Sequence, residues 1–122
     1  MGPGGAAARR ARVTVRFQRE IDTLFRRGAR STDELLTVFS ADTLDPTVDS
    51  GRLAFIAGRR VGGAVARNRS KRVMREAVRR AGGPWRGMDV VMVARQGTGS
   101  ASAERLDRSV GAHLRRLGVS GK

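Results

Sequence analysis

Residues 62–76 constrain the fold most, because a glycine pair is followed there by a helical pattern with two chemically different faces. On a helical wheel that advances by about 100° per residue, the apolar side chains collect on one arc and the cations on the other. Such a helix buries one face on a sheet and holds its cations one turn apart. The apolar arc contains Val73, Met74, Ala77, Val78 and Ala81, and the cationic arc contains Arg67, Asn68, Lys71, Arg72, Arg75 and Arg79.

The cationic arc lacks the acids that normally accompany the basic residues of a solvated helix face. Acid and base pairs four residues apart support a helix by roughly 0.2–0.5 kcal/mol each. Only Glu76 is placed to form one, with Arg72 or Arg80. The other cations repel one another in the free protein, so an external anion would stabilise the arrangement. We therefore expect this helix to follow the backbone of a polyanion.

The distribution of charge along the chain supports that expectation. The net charge is +14, and residues 52–87 carry eleven basic residues and one acid, whereas residues 33–51 carry five acids and no base. One face is therefore predicted to be strongly positive beside an acidic loop. Attachment to an anionic membrane would need large apolar residues next to the cations, and Val73 and Met74 are more simply assigned to the core.

The length of 122 residues allows one domain with a modest core. Residues 1–12, which are rich in Gly, Ala and Arg, predict a flexible basic tail, residues 13–118 a single RNA-binding domain, and residues 119–122 a second flexible tail. No segment resembles a membrane span or a secretory signal, so we expect a cytoplasmic protein. Cysteine is absent and His113 is the single histidine, which excludes thiolate or histidine-cluster metal sites and favours a structural role for His113.

Apolar spacing predicts two helices besides the basic one. The first contains Ile21, Leu24 and Phe25 and ends at Gly28, since glycine adopts a left-handed cap at little cost. The last helix follows the loop at residues 97–102, whose final serine is a typical cap. Its apolar side consists of Ala103, Leu106, Val110, Leu114 and Leu117.

Three apolar runs predict strands. Residues 35–39 and 53–57 are expected to pair as a hairpin across the acidic loop at residues 40–51. Residues 89–95 are apolar almost without interruption, which indicates a strand covered on both faces. With one optional further strand, the order α-β-β-(β)-α-β-α predicts an α+β two-layer sandwich with one central sheet.

The block at residues 61–76 resembles the signature of the protein subunit of bacterial ribonuclease P. It contains a glycine turn, Ala-Val, Arg-Asn-Arg-x-Lys-Arg and a downstream Arg-Glu. The Phe25-x-x-Gly28 helix end, the strand before Arg59 and the strand at residues 89–95 also match, so the similarity spans roughly residues 12–117. The resemblance implies that the basic helix lies in a left-handed crossover between parallel strands, although general topology rules favour a right-handed one.

The resemblance also implies a division of labour between protein and RNA. The RNA subunit, with bound Mg²⁺, would cut precursor tRNA to release its 5′ leader, while the protein contributes no catalytic side chain, binds no metal alone and needs no protein partner. The sequence agrees, since it lacks the histidine pairs or clustered carboxylates typical of a protein ribonuclease. Docking on the catalytic RNA is implied for Arg59, Arg60, Arg67, Asn68, Arg69, Lys71, Arg72 and Arg75.

Leader binding is implied for a cleft between the first helix and the sheet. Phe25, Phe39 and Arg95 match that surface, and Ile21 stands where the family usually has an aromatic residue. Aromatic side chains suit single-stranded RNA, because every base can stack on them. A structural RNA-binding protein of the ribosomal type remains an alternative, since the charge and length permit it equally.

Overall fold

The computed structural model describes residues 18–43 and 51–119, and the tail predicted over residues 1–12 lies outside these ranges, as does most of the acidic loop. Short 3-10 turns lie at Arg59–Val61 and Thr98–Ser100. In the described ranges, no helix is long and apolar enough to cross a membrane. The elements are α1 (Gln18–Arg27), β1 (Ala29–Thr32), β2 (Leu36–Asp42), β3 (Arg52–Ile56), α2 (Ala64–Arg80), β4 (Met88–Ala94) and α3 (Ala103–Leu117).

The four strands form one sheet in the order β1-β2-β4-β3. The hairpin predicted between residues 35–39 and 53–57 is wrong, because β4 lies between β2 and β3 and pairs with both. β4 runs antiparallel to β2 and parallel to β3, so β3, α2 and β4 form a crossover between neighbouring parallel strands. The left-handedness of this crossover stays a prediction.

The helices are divided between the two faces of the sheet. On one face, α2 and α3 pack against a core that includes the fully buried Met74 and Met92. On the other face, α1 places Leu24 against Phe39 and Val91. Because β4 is covered on both sides, its residues are apolar almost throughout, as predicted. The α+β class and the single sheet are confirmed, and α1 adds a partial layer on the second face.

Strand β1 brings the sheet to the four strands that the predicted order allowed with its optional further strand, but the sequence did not locate it, because only Ser31 among its four residues is buried. The Ser31 hydroxyl lies 2.7 Å from Nδ1 of His113, which is fully buried. Ser109 donates a hydrogen bond of 2.6 Å to Oδ2 of Asp33. These polar contacts attach the β1–β2 hairpin to α3 and place His113 in the core, where a structural role was expected.

Burial and hydrogen bonding shift the pKa values of both titratable groups in this network. Burial opposes the charge on Asp33, but hydrogen bonds from Ser109, Leu36 and Leu35 outweigh it and lower the pKa of Asp33 to about 2. Burial lowers the pKa of His113, and the Asp33 carboxylate, 3.1 Å from Nε2, opposes this only in part. The imidazole is therefore neutral at neutral pH and the carboxylate is charged.

The C-terminal ends of α1 and α3 differ from the sequence prediction. Gly28 follows α1 without a positive φ. Glycine is required at this position because the backbone of other residues lies close to it: a Cβ would lie 2.5 Å from the Leu24 carbonyl oxygen and 2.9 Å from the Ser40 carbonyl oxygen. After α3, Val119 is buried and its N–H donates to the Leu114 carbonyl, so the ordered domain extends into the predicted tail. The predicted cap of α3 is confirmed, since Ser102 accepts a hydrogen bond from a backbone N–H.

Candidate RNA-binding surfaces

The turn before α2 positions the basic helix. Gly62 has a φ of 139°, which residues with a side chain rarely adopt, and a Cβ there would lie 2.9 Å from that of Ala66. Gly63 is extended and precedes the helix without a side-chain cap. Glycine at position 62 therefore lets the chain turn from Arg59–Val61 directly into the first turn of α2.

The inner face of α2 is fixed against the rest of the domain. Met74, Ala77 and Val78 are buried, so the apolar arc predicted from the helical wheel is confirmed there. Ser70 is also fully buried, against the turn at Thr98–Ser100, where a Cβ on Gly99 would lie 3.0 Å from its hydroxyl oxygen. The close contact between Ser70 and Gly99 was not predicted, because neither serine nor glycine contributes to an apolar sequence pattern.

The opposite face of α2 presents the cationic arc to solvent. Arg67 and Lys71 are half-buried, and the other members of the arc are exposed. None of these side chains forms an ion pair or a side-chain hydrogen bond with another described residue. Arg69 on α2 and Arg59 and Arg60 on the preceding turn are likewise exposed and form no such pair with the described residues. Together they form a positive surface that is not neutralised within the described part of the chain.

Other arginines in the same basic segment are neutralised inside the protein. Arg52 is 4% exposed and donates two hydrogen bonds, of 3.2 and 2.8 Å, to the buried carboxylate of Asp89. Arg80 pairs with Asp107 at 2.8 Å rather than with Glu76. The positive surface is therefore smaller than the sequence count suggests. In the described residues, no three acidic or histidine side chains are grouped as metal ligands would be.

The predicted leader residues occupy different depths on the α1 face of the sheet. Phe25 is 41% exposed, whereas Phe39 is 9% exposed and lies under it, with ring centroids 4.6 Å apart. Ile21 is half-buried and packs against the same cluster. Arg30 places its guanidinium carbon 5.8 Å from the Phe39 centroid. Phe25 is thus the ring that a base could reach, and Arg30 is a neighbouring cation that the sequence did not reveal.

Arg95 lies in an open groove of about 700 Å³ that also contains Arg60 and Thr37. Thr37 and Phe39 are two residues apart on β2, so they point to the same face of the sheet. The groove therefore continues the face that carries Phe39. Arg60 and Arg95 both line the groove, although the resemblance assigned Arg60 to the catalytic RNA and Arg95 to the leader. Phe25 does not line the groove, so Arg95 and Phe25 belong to separate parts of this face. The other lining residues are Glu34, Val61, Ala94 and Gln96.

Known proteins match this chain over most of its length. The ribonuclease P family profile matches residues 10–118. A ribonuclease P protein component from Syntrophomonas wolfei is 31% identical over 109 residues, which cover 88% of this chain and 89% of that protein. Another from Streptomyces griseus is 39% identical over 111 residues, covering 84% and 89%, respectively.

Solved structures show the same fold. The ribonuclease P protein of Thermotoga maritima superposes with a TM-score of 0.68 and is 25% identical, covering 85% of this chain and 94% of that one. The Staphylococcus aureus protein gives a TM-score of 0.74 at 20% identity, covering 87% and 95%. Because the family profile and these relatives match most of its length, the chain belongs to the ribonuclease P protein family.

Proposed function

We propose that this chain docks on ribonuclease P RNA through the cationic arc of α2 together with Arg59, Arg60 and Arg69. The observation that carries the proposal is the absence of internal ion pairs among these side chains within the described residues. Each unpaired arginine can bind a phosphate by donating two parallel hydrogen bonds to it. Family membership favours ribonuclease P RNA over ribosomal RNA as the partner.

In the holoenzyme, the RNA subunit carries out the endonucleolytic cut, and Mg²⁺ held by the RNA supplies the hydrolytic chemistry. The protein binds, orients and neutralises phosphates. Acidic side chains such as Asp89 and Asp107 are committed to arginine partners, which supports this division. No further protein is required, and we expect the complex in the cytoplasm on the sequence grounds above.

The 5′ leader of precursor tRNA lies along the α1 face of the sheet. A base stacks on the exposed ring of Phe25, and phosphates further along contact Arg95 in the groove. Stacking on an aromatic side chain contributes roughly 1–3 kcal/mol per base and tolerates any sequence. This surface therefore suits leaders of unrelated sequence.

Reconstitution tests the docking proposal. The purified chain is mixed with a bacterial ribonuclease P RNA at low Mg²⁺ concentration, and cleavage of precursor tRNA is compared with that by the RNA alone. We expect faster cleavage, because the protein supplies positive charge that Mg²⁺ otherwise provides. Equal rates with and without the chain would contradict the proposal.

A leader-dependent measurement tests the second surface. Phe25→Ala should weaken holoenzyme binding to precursor tRNA by roughly 5- to 150-fold, the equivalent of one lost stack. Binding of tRNA without a leader should not change. Phe25→Leu, which keeps an apolar side chain but removes the ring, serves as a matched control with an intermediate loss. An equal loss for both RNAs would place Phe25 in folding rather than in leader binding.

A further inference from the structure

Val65 is exposed to an extent that folding does not explain. It is 77% exposed, more than Phe25, and these two are the exposed large apolar side chains among the described residues. Phe25 packs against Phe39, whereas Val65 lies in the first turn of α2 beside the polar side chains of Asn68 and Arg69. Its side chain buries little surface in the free protein, so it contributes little to stability.

A shallow pocket of about 380 Å³ surrounds this side chain. It is lined by Val65, Asn68, Arg69 and Arg72, which we call the Val65 pocket. These residues are spaced i, i+3, i+4 and i+7, so they form one stripe along α2. The pocket combines an apolar surface, an amide that can both donate and accept, and two guanidinium groups without ion-pair partners among the described residues.

Phosphate binding explains the two arginines of the Val65 pocket but not its apolar side chain. Arg69 and Arg72 suit phosphates, but an apolar side chain gains nothing from a phosphate oxygen. An unpaired nucleotide offers all three complementary groups: a base or ribose face for Val65, a base edge for Asn68, and flanking phosphates for the arginines. Proteins recognise RNA sequence mostly at such unstacked nucleotides rather than within A-form helices.

We propose that the Val65 pocket holds one unpaired nucleotide of ribonuclease P RNA. The base or ribose lies against Val65, Asn68 contacts the base edge, and Arg69 and Arg72 hold the adjacent phosphates. The inference rests on the proposed docking of α2 and deepens it, because it adds a base contact to a surface otherwise explained by phosphates. It also predicts that the docking site contains a bulge or loop nucleotide.

Val65→Thr tests the proposal, because threonine keeps the shape of the side chain and replaces one methyl group with a hydroxyl. Affinity is measured for ribonuclease P RNA and for a fully paired RNA duplex. We expect an about three- to tenfold loss for ribonuclease P RNA, from the lost apolar contact, and no loss for the duplex. The salt dependence of binding and the thermal midpoint should stay unchanged, since no charge or core residue is altered.

Arg69→Ala is the matched variant for the phosphate contacts. It should weaken binding to both RNAs and reduce the salt slope by roughly 0.7–0.9 for each lost phosphate contact. If Arg69→Ala behaves this way but Val65→Thr binds ribonuclease P RNA like the wild type, the pocket inference fails and the docking proposal stands. If Arg69→Ala leaves the slope unchanged, the docking proposal fails and the inference fails with it.

Two other results would also overturn the inference. An equal loss of duplex and ribonuclease P RNA binding in Val65→Thr would assign Val65 to a general contact rather than to an unpaired nucleotide. Self-association of the free protein that disappears in Val65→Thr, measured by sedimentation over a range of concentrations, would assign the pocket to a second copy of this chain.

Discussion

Helices α2 and α3 are both rich in arginine, but they differ in how much of that charge is neutralised. In the first half of α3, Arg105 pairs with Glu34 and Arg108 lies 3.7 Å from Glu104. Only the two arginines of its last turn, Arg115 and Arg116, have no acidic partner among the described residues. On α2, the cationic arc has no such partner among the described residues, and only Arg80, in the last turn, pairs with an acid. The comparison teaches that pairing, rather than the number of arginines, distinguishes a candidate RNA surface from an ordinary solvated helix face.

The largest effect is expected where a paired arginine is buried. Asp89→Ala removes the carboxylate that neutralises the buried guanidinium of Arg52, and it should lower the free energy of unfolding by about 3–5 kcal/mol. Urea titration measures this loss. Asp89→Asn, which can still accept a hydrogen bond, should cost less. Loss of RNA affinity in either variant while it is fully folded would contradict a purely structural role for this pair.

The next effect separates the two helices directly. Arg69→Ala on α2 should weaken binding to ribonuclease P RNA by about tenfold or more, since a charged hydrogen bond is lost. Arg105→Ala on α3 should change it by less than about twofold, because that guanidinium already has a carboxylate partner. Filter binding over a range of salt concentrations provides both affinities. Equal losses for the two variants would remove the distinction between the helices.

A smaller effect concerns the buried network that attaches β1 to α3. Because the pKa of His113 is lowered, the unfolded chain binds a proton below pH 6.5 that the folded protein does not, so stability falls as the pH decreases from there. The slope is at most about 1.4 kcal/mol per pH unit for this proton. His113→Asn should lose this slope. A slope that persists in the variant between pH 6.5 and 5 would assign the effect to other groups.

The lowered pKa of Asp33 acts in the same direction at lower pH. Its contribution to stability is present above the ordinary value of 3.8 and is lost as the pH falls toward about 2. Thermal unfolding of His113→Asn should therefore still show destabilisation by acid in that lower range.

The smallest effect tests whether an arginine can be moved from the paired group to the unpaired one. Asp107→Ala removes the partner of Arg80, which is exposed at the end of α2. Stability should change little, because exposed ion pairs contribute little. Affinity for ribonuclease P RNA should increase slightly, with a steeper salt dependence. A decrease in affinity would show that Asp107 itself supports the RNA surface.

Local periodicity was sufficient to predict much of the fold. The buried face of α2, the central strand β4 and the capped start of α3 each depend on residues within a few positions of one another, and the structure confirms them. The strand pairing was predicted wrongly, because the insertion of β4 between β2 and β3 depends on contacts distant in sequence. The optional further strand was not located, because β1 is a short polar edge strand.

For the candidate surfaces, too, the sequence did not reveal contacts between residues that are distant in the chain. Helical spacing placed Arg72 and Arg75 on the cationic arc, and both are exposed. It did not reveal that Arg52 is neutralised by Asp89, a residue 37 positions away. Nor did it distinguish the exposed ring of Phe25 from the buried one of Phe39, since both fit an apolar pattern.

Tethered hydroxyl-radical cleavage tests the central claim, that α2 rather than α3 faces ribonuclease P RNA. The chain has no cysteine, so Ala64→Cys and Glu104→Cys each provide one site for an iron chelate, and both positions are exposed. In the complex with ribonuclease P RNA, we expect strong local cuts from position 64 on α2 and weak or no cuts from position 104 on α3. Equal cutting from both positions, or cutting from position 104 alone, would contradict the account.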